Sequence, residues 1–373
     1  MANRIEVKKI NRQMVYNSIF RNNTISKQEI ANSTGLSVPT VSQNLQELKE
    51  SGLVDMIGAF ESTGGRRASK FTCVYNARLA VGIDITANHI TVVIINLASD
   101  IEYGVIRRHM KFEDTDSYYN KVQDIVREGI LSNHLDEDKI LGVGISLPSI
   151  VNRHSNKVTY SRVIDACADI RDHFTSRFPF PVEIFNDANA AAYAEMWKED
   201  SKKPMFYIML SNSVGGAFIL NQDIFLGDNC RSSEVGHIKI VPNGRKCYCG
   251  ERGCVNAYCS ALLLSERCGG SLETFFEKLH DGDQESLKVF DQYLQYLAIA
   301  VVNTRMLYDC DVVIGGYVGA FITEKYLNAL KEKVAAINPY EDNSDFLRQC
   351  AYKKEASAVG SALYFIRKFI SEI

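Results

Sequence analysis

Ala80-Val81-Gly82-Ile83-Asp84-Ile85, then His89-Ile90-Thr91-Val92-Val93-Ile94-Ile95-Asn96-Leu97, then Glu102-Tyr103-Gly104-Val105-Ile106-Arg107, reads as three strands joined by short turns. β-Branched residues dominate these runs, and each is too short for an amphipathic helix. The succession returns at Met205-Phe206-Tyr207-Ile208-Met209-Leu210, Gly215-Gly216-Ala217-Phe218-Ile219-Leu220 and Gln222-Asp223-Ile224-Phe225. Strand, tight turn, strand and return occurring twice predicts a duplicated α/β lobe, with a cleft between the copies. A long helical pattern from Glu285 to Asp309 ends before Asp311-Val312-Val313-Ile314-Gly315-Gly316, a buried strand meeting a Gly-rich turn. Its apolar stretch Leu297-Ala298-Ile299-Ala300-Val301-Val302 reads as core. The chain closes with a helix through Ala362, Leu363, Phe365 and Ile366.

The 373 residues suffice for two or three domains, and 46% hydrophobic with 23% charged residues is ordinary for globular protein. No apolar run approaches the roughly 18 residues of a membrane helix, and the start lacks a secretory stretch, so a cytoplasmic protein with no membrane partner is expected. Ten cysteines without the dense framework of a small secreted domain read as reduced thiols plus a metal site. The net charge of -3 conceals an asymmetry: residues 1–70 carry ten Lys/Arg against six Asp/Glu. That basic N-terminal part points to nucleic acid.

Between about Ile10 and Val54 the pattern predicts three short helices. Ser26-Lys27-Gln28-Glu29 is a capping box for the second, Ser37 can cap the third, and Gly52 stands where a helix ends. Val38, Val41, Leu45 and Leu48 recur at helical spacing and predict a buried face. The opposite face offers Thr40, Ser42, Gln43, Asn44 and Gln46, short or amide side chains suited to base edges and phosphates. Two strands, Leu53–Ile57 and Lys70–Val74, flank Thr63-Gly64-Gly65-Arg66-Arg67, a flexible turn with two guanidiniums. The expectation is a winged helix-turn-helix that contacts double-stranded DNA through Ser37, Thr40, Ser42, Gln43, Asn44, Arg66 and Arg67. A protein-interaction module with a merely solvated polar face is the alternative.

Glu234-Val235-Gly236-His237 followed by Cys247-Tyr248-Cys249-Gly250-Glu251-Arg252-Gly253-Cys254 gathers three thiols and an imidazole. His237, Cys247, Cys249 and Cys254 can close a zinc tetrahedron, with Gly250 and Gly253 letting the backbone curl back to present the last thiol. Such a site has no open position for chemistry, so one structural Zn2+ is expected. Buried thiols beside a core histidine, or a disulfide, would be the bland account.

With these segments in hand, the whole chain resembles the ROK family (repressors, open reading frames and sugar kinases), in its repressor form. The most specific matches are the thiol segment with its preceding Glu-x-Gly-His, the run Phe185-Asn186-Asp187-Ala188-Asn189-Ala190-Ala191, and the Gly-Gly-Arg-Arg wing. The resemblance implies an α/β fold: an N-terminal winged helix-turn-helix plus two actin-like (ribonuclease H-like, sugar-kinase) lobes. The expected division is 1–75 for the DNA-binding head, 79–190 with 358–373 for the first lobe, and 191–357 for the second lobe with the metal segment and a dimerisation surface. It further implies that Asn186, Asp187, Glu234 and His237 face a sugar, His237 also binding the metal. Carboxylates, an amide and an imidazole can together satisfy adjacent hydroxyls, which both donate and accept. Taken alone, Asn186-Asp187 would be read as a helix cap.

In the family's kinases the residue matching Asp187 is a general base, and glycine-rich turns approach the ATP phosphates. The kinase turn Asp-x-Gly-Gly-Thr is here Asp84-Ile85-Thr86-Ala87-Asn88, and Gly-Thr-Gly-x-Gly-Gly-Gly is Ser211-Asn212-Ser213-Val214-Gly215-Gly216-Ala217. Each added β-carbon removes backbone contacts with phosphate, so no catalysis is expected. The sugar half departs too: Gly-Cys-x-Glu is Gly253-Cys254-Val255-Asn256, Pro-Gly is Pro148-Ser149, and Arg231 precedes Glu234 where it could meet a phosphate or simply face solvent. The expectation is a sugar-responsive DNA-binding repressor of carbohydrate-utilisation genes, a homodimer or homotetramer, whose effector is a sugar or sugar phosphate. Its rivals are an active kinase with a DNA-binding extension and a constitutive regulator with a vestigial cleft.

Overall fold

The computed structural model describes residues 4–59, 69–199 and 202–373. The head begins with α1 (Arg4–Asn22), followed by β1 (Ile25–Ser26), α2 (Lys27–Thr34), α3 (Val38–Glu50), β2 (Val54–Ala59) and β3 (Ser69–Cys73). At 19 residues α1 is no short helix; its Val15, Tyr16 and Ile19 are fully buried and anchor the head's core. Ser26 and Glu29 form the capping box of α2, and the Ser37 hydroxyl accepts the Thr40 amide at the start of α3. The three strands pair in the order β1-β3-β2, all antiparallel. Arg66 and Arg67 lie outside the described residues.

Two five-stranded sheets follow. The first comprises β4 (Leu79–Ile85), β5 (His89–Asn96), β6 (Val105–His109), β7 (Ile140–Leu147) and, after the hairpin β8 (Ile150–Asn152) and β9 (Lys157–Tyr160), β10 (Val182–Asn186). Helix α4 (Asp116–Ser132) precedes β7, α5 (Ile170–Thr175) precedes β10, and α6 (Asp187–Glu199) leaves β10 directly. The second sheet comprises β11 (Met205–Leu210), β12 (Val214–Leu220), β13 (Asp223–Ile224), β14 (Asp311–Gly315) and β15 (Leu347–Gln349). Between β13 and β14 stand α7 (Asn256–Cys259), α8 (Leu262–Ser265), α9 (Leu272–His280) and α10 (Gln284–Tyr308); α11 (Gly316–Phe321) and α12 (Glu324–Ala335) precede β15, and α13 (Ala356–Glu372) ends the chain. The orders β10-β7-β4-β5-β6 and β13-β12-β11-β14-β15 are the same: an antiparallel meander of three, then two parallel strands beside its first. The repeated sequence pattern is thus a repeated topology. The third strand begins at Val105, three residues later than the sequence suggests, because Glu102 turns away to bond Asn76 and Asn96.

Helix α13 lies on the first sheet. A β-carbon at Gly82 or Gly144 would sit 1.9 Å from the Ala358 carbonyl oxygen or 2.1 Å from that of Ser361, so only glycine permits this approach. The far end of α13 meets the head, where Arg12 Nε donates to the Ile373 carbonyl at 2.7 Å and the Gln13 amide donates to that of Ser371. One apolar cluster runs from Tyr16 and Ile19 through Phe71 to Ala358, Leu363 and Ile366, so the head is packed onto α13.

Candidate functional site

Asn186 and Asp187 stand where β10 runs into α6, at the carboxyl end of the parallel strands. Ligands gather at that edge of α/β sheets because loops diverge there. The Asn186 Oδ1 accepts the Asn189 amide at 3.0 Å, a helix cap, while its Nδ2 donates to the Ser149 carbonyl at 3.2 Å. Glu234 and His237 come from the far side of the cleft, on the short turn after β13. All four residues line one cavity of about 340 Å3, together with Ser149, Arg231 and Tyr248.

The electrostatics are those of crowded acids. Burial, then the nearby Asp84 and Glu234 carboxylates, push the Asp187 carboxyl up to about 8. Burial also raises Glu234, opposed by the Arg231 guanidinium. Arg231 is therefore at the cavity mouth, exposed, as a counter-charge. Asn256, standing where the resemblance leads one to expect a carboxylate, does not serve the cavity: it is buried and accepts the Val214 amide at 2.8 Å.

Below this wall the donor atoms of His237, Cys247, Cys249 and Cys254 all lie within 4.8 Å of one another. The Cys249 and Cys254 sulfurs are 3.8 Å apart, and His237 Nδ1 is 3.9 Å from the Cys247 sulfur. A tetrahedral ion with metal–sulfur bonds of about 2.3 Å sets sulfurs about 3.8 Å apart, so the cluster can hold a metal. Gly250 (φ 99°) and Gly253 (φ 82°) adopt the left-handed backbone that returns the loop to present Cys254. Burial lowers the His237 pKa and favours the neutral imidazole that a metal requires. Its Nε2 is 3.1 Å from the Tyr248 hydroxyl, which fixes the ring and leaves Nδ1 to the thiols. Tyr248, a cavity residue between two thiols, is the functional candidate that spacing alone misses; the aromatic inside Cys-x-Cys was its only signal.

At the other end of the cleft Asp84, Thr91 and Arg107 stand abreast on β4, β5 and β6. The Ser146 hydroxyl donates to Asp84 at 2.9 Å, and burial raises the Asp84 carboxyl to about 6. The Arg107 guanidinium lies 4.9 Å from the ring centroid of Tyr317, which opens α11 beside the second sheet. A cation and an aromatic ring thus join the two sheets next to the Asp84 turn.

In the head, Gln43 and Gln46 on α3 are exposed, Ser37 is exposed at its start, and Thr40 and Ser42 are half-buried. Asn44 corrects the sequence reading: it is 4% exposed and donates from Nδ2 to the Thr40 carbonyl, so it belongs to the head's interior. Helical periodicity puts it at the margin of the apolar stripe, beside Leu45, and packing drew it inward. Val38, expected inside, is 40% exposed, because it opens the helix ahead of the packed stretch from Val41.

Residues 80–368 match the ROK family, and residues 9–55 match a winged helix-turn-helix DNA-binding domain. The chain belongs to the ROK family. It is 27% identical to the xylose repressor of Bacillus spizizenii over 383 aligned positions, spanning 99% of this chain and 98% of that protein. A crystal structure of a ROK family transcriptional regulator, a homologue of the E. coli MLC protein, superposes with a TM-score of 0.75 at 19% identity, covering 98% of this chain and 97% of that one. A ROK family glucokinase from Streptomyces griseus, solved with glucose and AMPPNP, superposes at 0.65 with 21% identity, over 77% of this chain and 98% of its own. The glucokinase covers about three quarters of this chain, whereas both regulators align over nearly all of it. Among the described residues no helix is long and apolar enough to cross a membrane.

Proposed function

We propose that this ROK protein is a cytoplasmic, sugar-responsive repressor of carbohydrate-utilisation genes, acting as a homodimer or homotetramer on a DNA operator and performing no catalysis. The observation that carries the reading is the asymmetry of the cleft. One end keeps two carboxylates and an amide around a cavity of about 340 Å3. At the other end the Arg107 guanidinium lies 4.9 Å from the Tyr317 ring centroid, beside the Asp84 turn that in this reading no longer takes a nucleotide phosphate.

Asp187 and Glu234 accept sugar hydroxyls, and Asn186 has a free lone pair and a free N–H beside its cap and Ser149 bonds. Tyr248 holds the His237 ring in place. One structural zinc on His237, Cys247, Cys249 and Cys254 would supply rigidity to this wall rather than a reactive water. The signal leaves through α13, whose last turn is hydrogen-bonded to α1. A sugar that binds one arrangement of the lobes better than another shifts the spacing of the two heads in a dimer, and only that difference in affinity can release DNA. On the head, Ser37, Thr40, Ser42 and Gln43, with Arg66 and Arg67, contact the duplex. Gln43 reaches Glu47 at 3.4 Å in the free protein and must turn away from it to read a base.

The test selects duplex sequences with the full chain, then titrates sugars into the complex while following anisotropy. Release by at least one sugar supports the reading; sugars that bind without altering DNA affinity remove it. A kinase carrying a DNA-binding head is the second reading, favoured by Asp187, whose carboxyl at about 8 suits a general base. Sugar-dependent ADP formation separates the two.

A further inference from the structure

A second, larger cavity, of about 560 Å3, lies behind Asn186 on the side away from Asp187. Asn186 lines both cavities. We infer that this second cavity is a binding site for a phosphorylated small molecule, a co-effector placed between the sugar pocket and the DNA-binding head. Three observations converge.

The first is charge. Of the two carboxylates lining the cavity, Glu183 is bridged to Arg171 at 3.4 Å and Asp223 to Arg153 at 3.5 Å. Arg367 and Lys368 make no ion pair within 4 Å with either acid, although each feels one of them at longer range, Arg367 the Asp223 carboxylate and Lys368 that of Glu183; the Arg367 guanidinium donates to a neutral partner, the Tyr193 hydroxyl, at 3.1 Å. Three lining cations, Arg153, Arg367 and Lys368, face two lining acids, and Arg171 behind Glu183 neutralises one of those acids, so the cavity is left net positive, as a phosphate monoester requires. The second is shape. Phe185 and Tyr364, ring centroids 5.3 Å apart, with Ile184 and Ile224, give the organic part of such a ligand an apolar wall.

The third is position. The Arg153–Asp223 pair joins the hairpin after β8 to β13 of the other sheet, so a ligand drawing on Arg153 bears on how the two sheets meet. The opposite wall is the last turns of α13, including Ser371, whose carbonyl accepts the Gln13 amide of α1. An occupant therefore touches the sugar-site wall, the junction of the sheets and the helix carrying the head. This site shares Asn186 alone with the cleft and does not need the cleft to bind sugar.

The experiment uses the full chain carrying Asp187→Asn, which disables the cleft, and follows thermal unfolding with ribose 5-phosphate, ribose and inorganic phosphate in separate titrations. Ribose 5-phosphate is expected to raise the melting temperature and ribose to leave it unchanged. Adding Arg367→Gln with Lys368→Gln should raise the half-saturating concentration about tenfold or more, since two charge-assisted bonds are lost. Ser371→Glu, an exposed position on the rim, should act in the same direction without removing a cation. Inorganic phosphate reproducing the shift, with the same sensitivity to these substitutions, supports the site and assigns recognition to the phosphate group. Equal half-saturation in all variants, or no shift with either phosphate-bearing probe, overturns it. Failure of free sugars to bind the unsubstituted chain would count against the repressor reading alone.

Discussion

Asp187→Asn separates binding from stability, because the two should move in opposite directions. In the folded chain the Asp187 carboxyl is raised from 3.8 to about 8, by burial and by the Asp84 and Glu234 carboxylates. A carboxyl whose folded pKa is raised costs nothing below about pH 4, where both states are protonated. The cost grows as pH climbs and is complete above pH 8, because the unfolded chain ionises first. At pH 7 the difference amounts to on the order of 4 kcal/mol at about 1.4 kcal/mol per pH unit. Asparagine has no charge to desolvate and keeps the oxygen that accepts the Ala188 amide. The substituted protein should therefore melt higher than the parent, by a margin that widens from pH 5 to pH 8 and then levels off. The same substitution should abolish sugar binding in calorimetry, while the parent releases close to one proton on binding at pH 7, as measured in buffers of different ionisation enthalpy. A margin independent of pH, or a variant that still binds sugar with proton release, would refute the reasoning.

Purified protein should contain about one zinc per chain, and Cys249→Ser should lower that content and weaken sugar affinity together, since His237 loses its anchoring; elemental analysis and calorimetry read both. In the head, Gln43→Ala should cost about 1–3 kcal/mol of operator discrimination with unchanged melting. Asn44→Ala should lower the melting temperature through the lost bond to the Thr40 carbonyl yet leave base preference intact, which a binding-site selection with each variant checks. Arg107→Ala should loosen the junction of the two sheets beside Asp84 and shift the small-angle scattering profile toward a larger radius of gyration, without creating ATP turnover.

The repeated strand order was readable in the sequence because β4 and β11 are buried throughout, so β11 appears as an unbroken apolar run and β4 as one interrupted only by Asp84, which no surface element needs. The caps at Ser26 and Ser37 and the thiol spacing were readable for the same local reason: each is a contact among residues close in the chain. What escaped is long-range. Arg107 and Tyr317 are far apart in sequence and meet only once both sheets have folded. Asn256 resembles a lost ligand until the Val214 amide is seen to use it. Asn44 differs from Gln43 by one step around a helix, and which of them faces solvent depends on how α1 and α2 pack against α3. The second cavity draws its walls from β8, β10, α6, β13 and α13, and no spacing announces it.

The most direct measurement follows fluorescence anisotropy of a selected operator duplex bound to the full chain, as sugars and ATP are added separately and together, with ADP formation recorded in the same samples. One sugar alone should shift operator affinity, ATP should change neither that shift nor the sugar's half-saturating concentration, and ADP should stay at background. Sugar-dependent ADP formation, or an operator response that requires the nucleotide, would contradict the repressor reading.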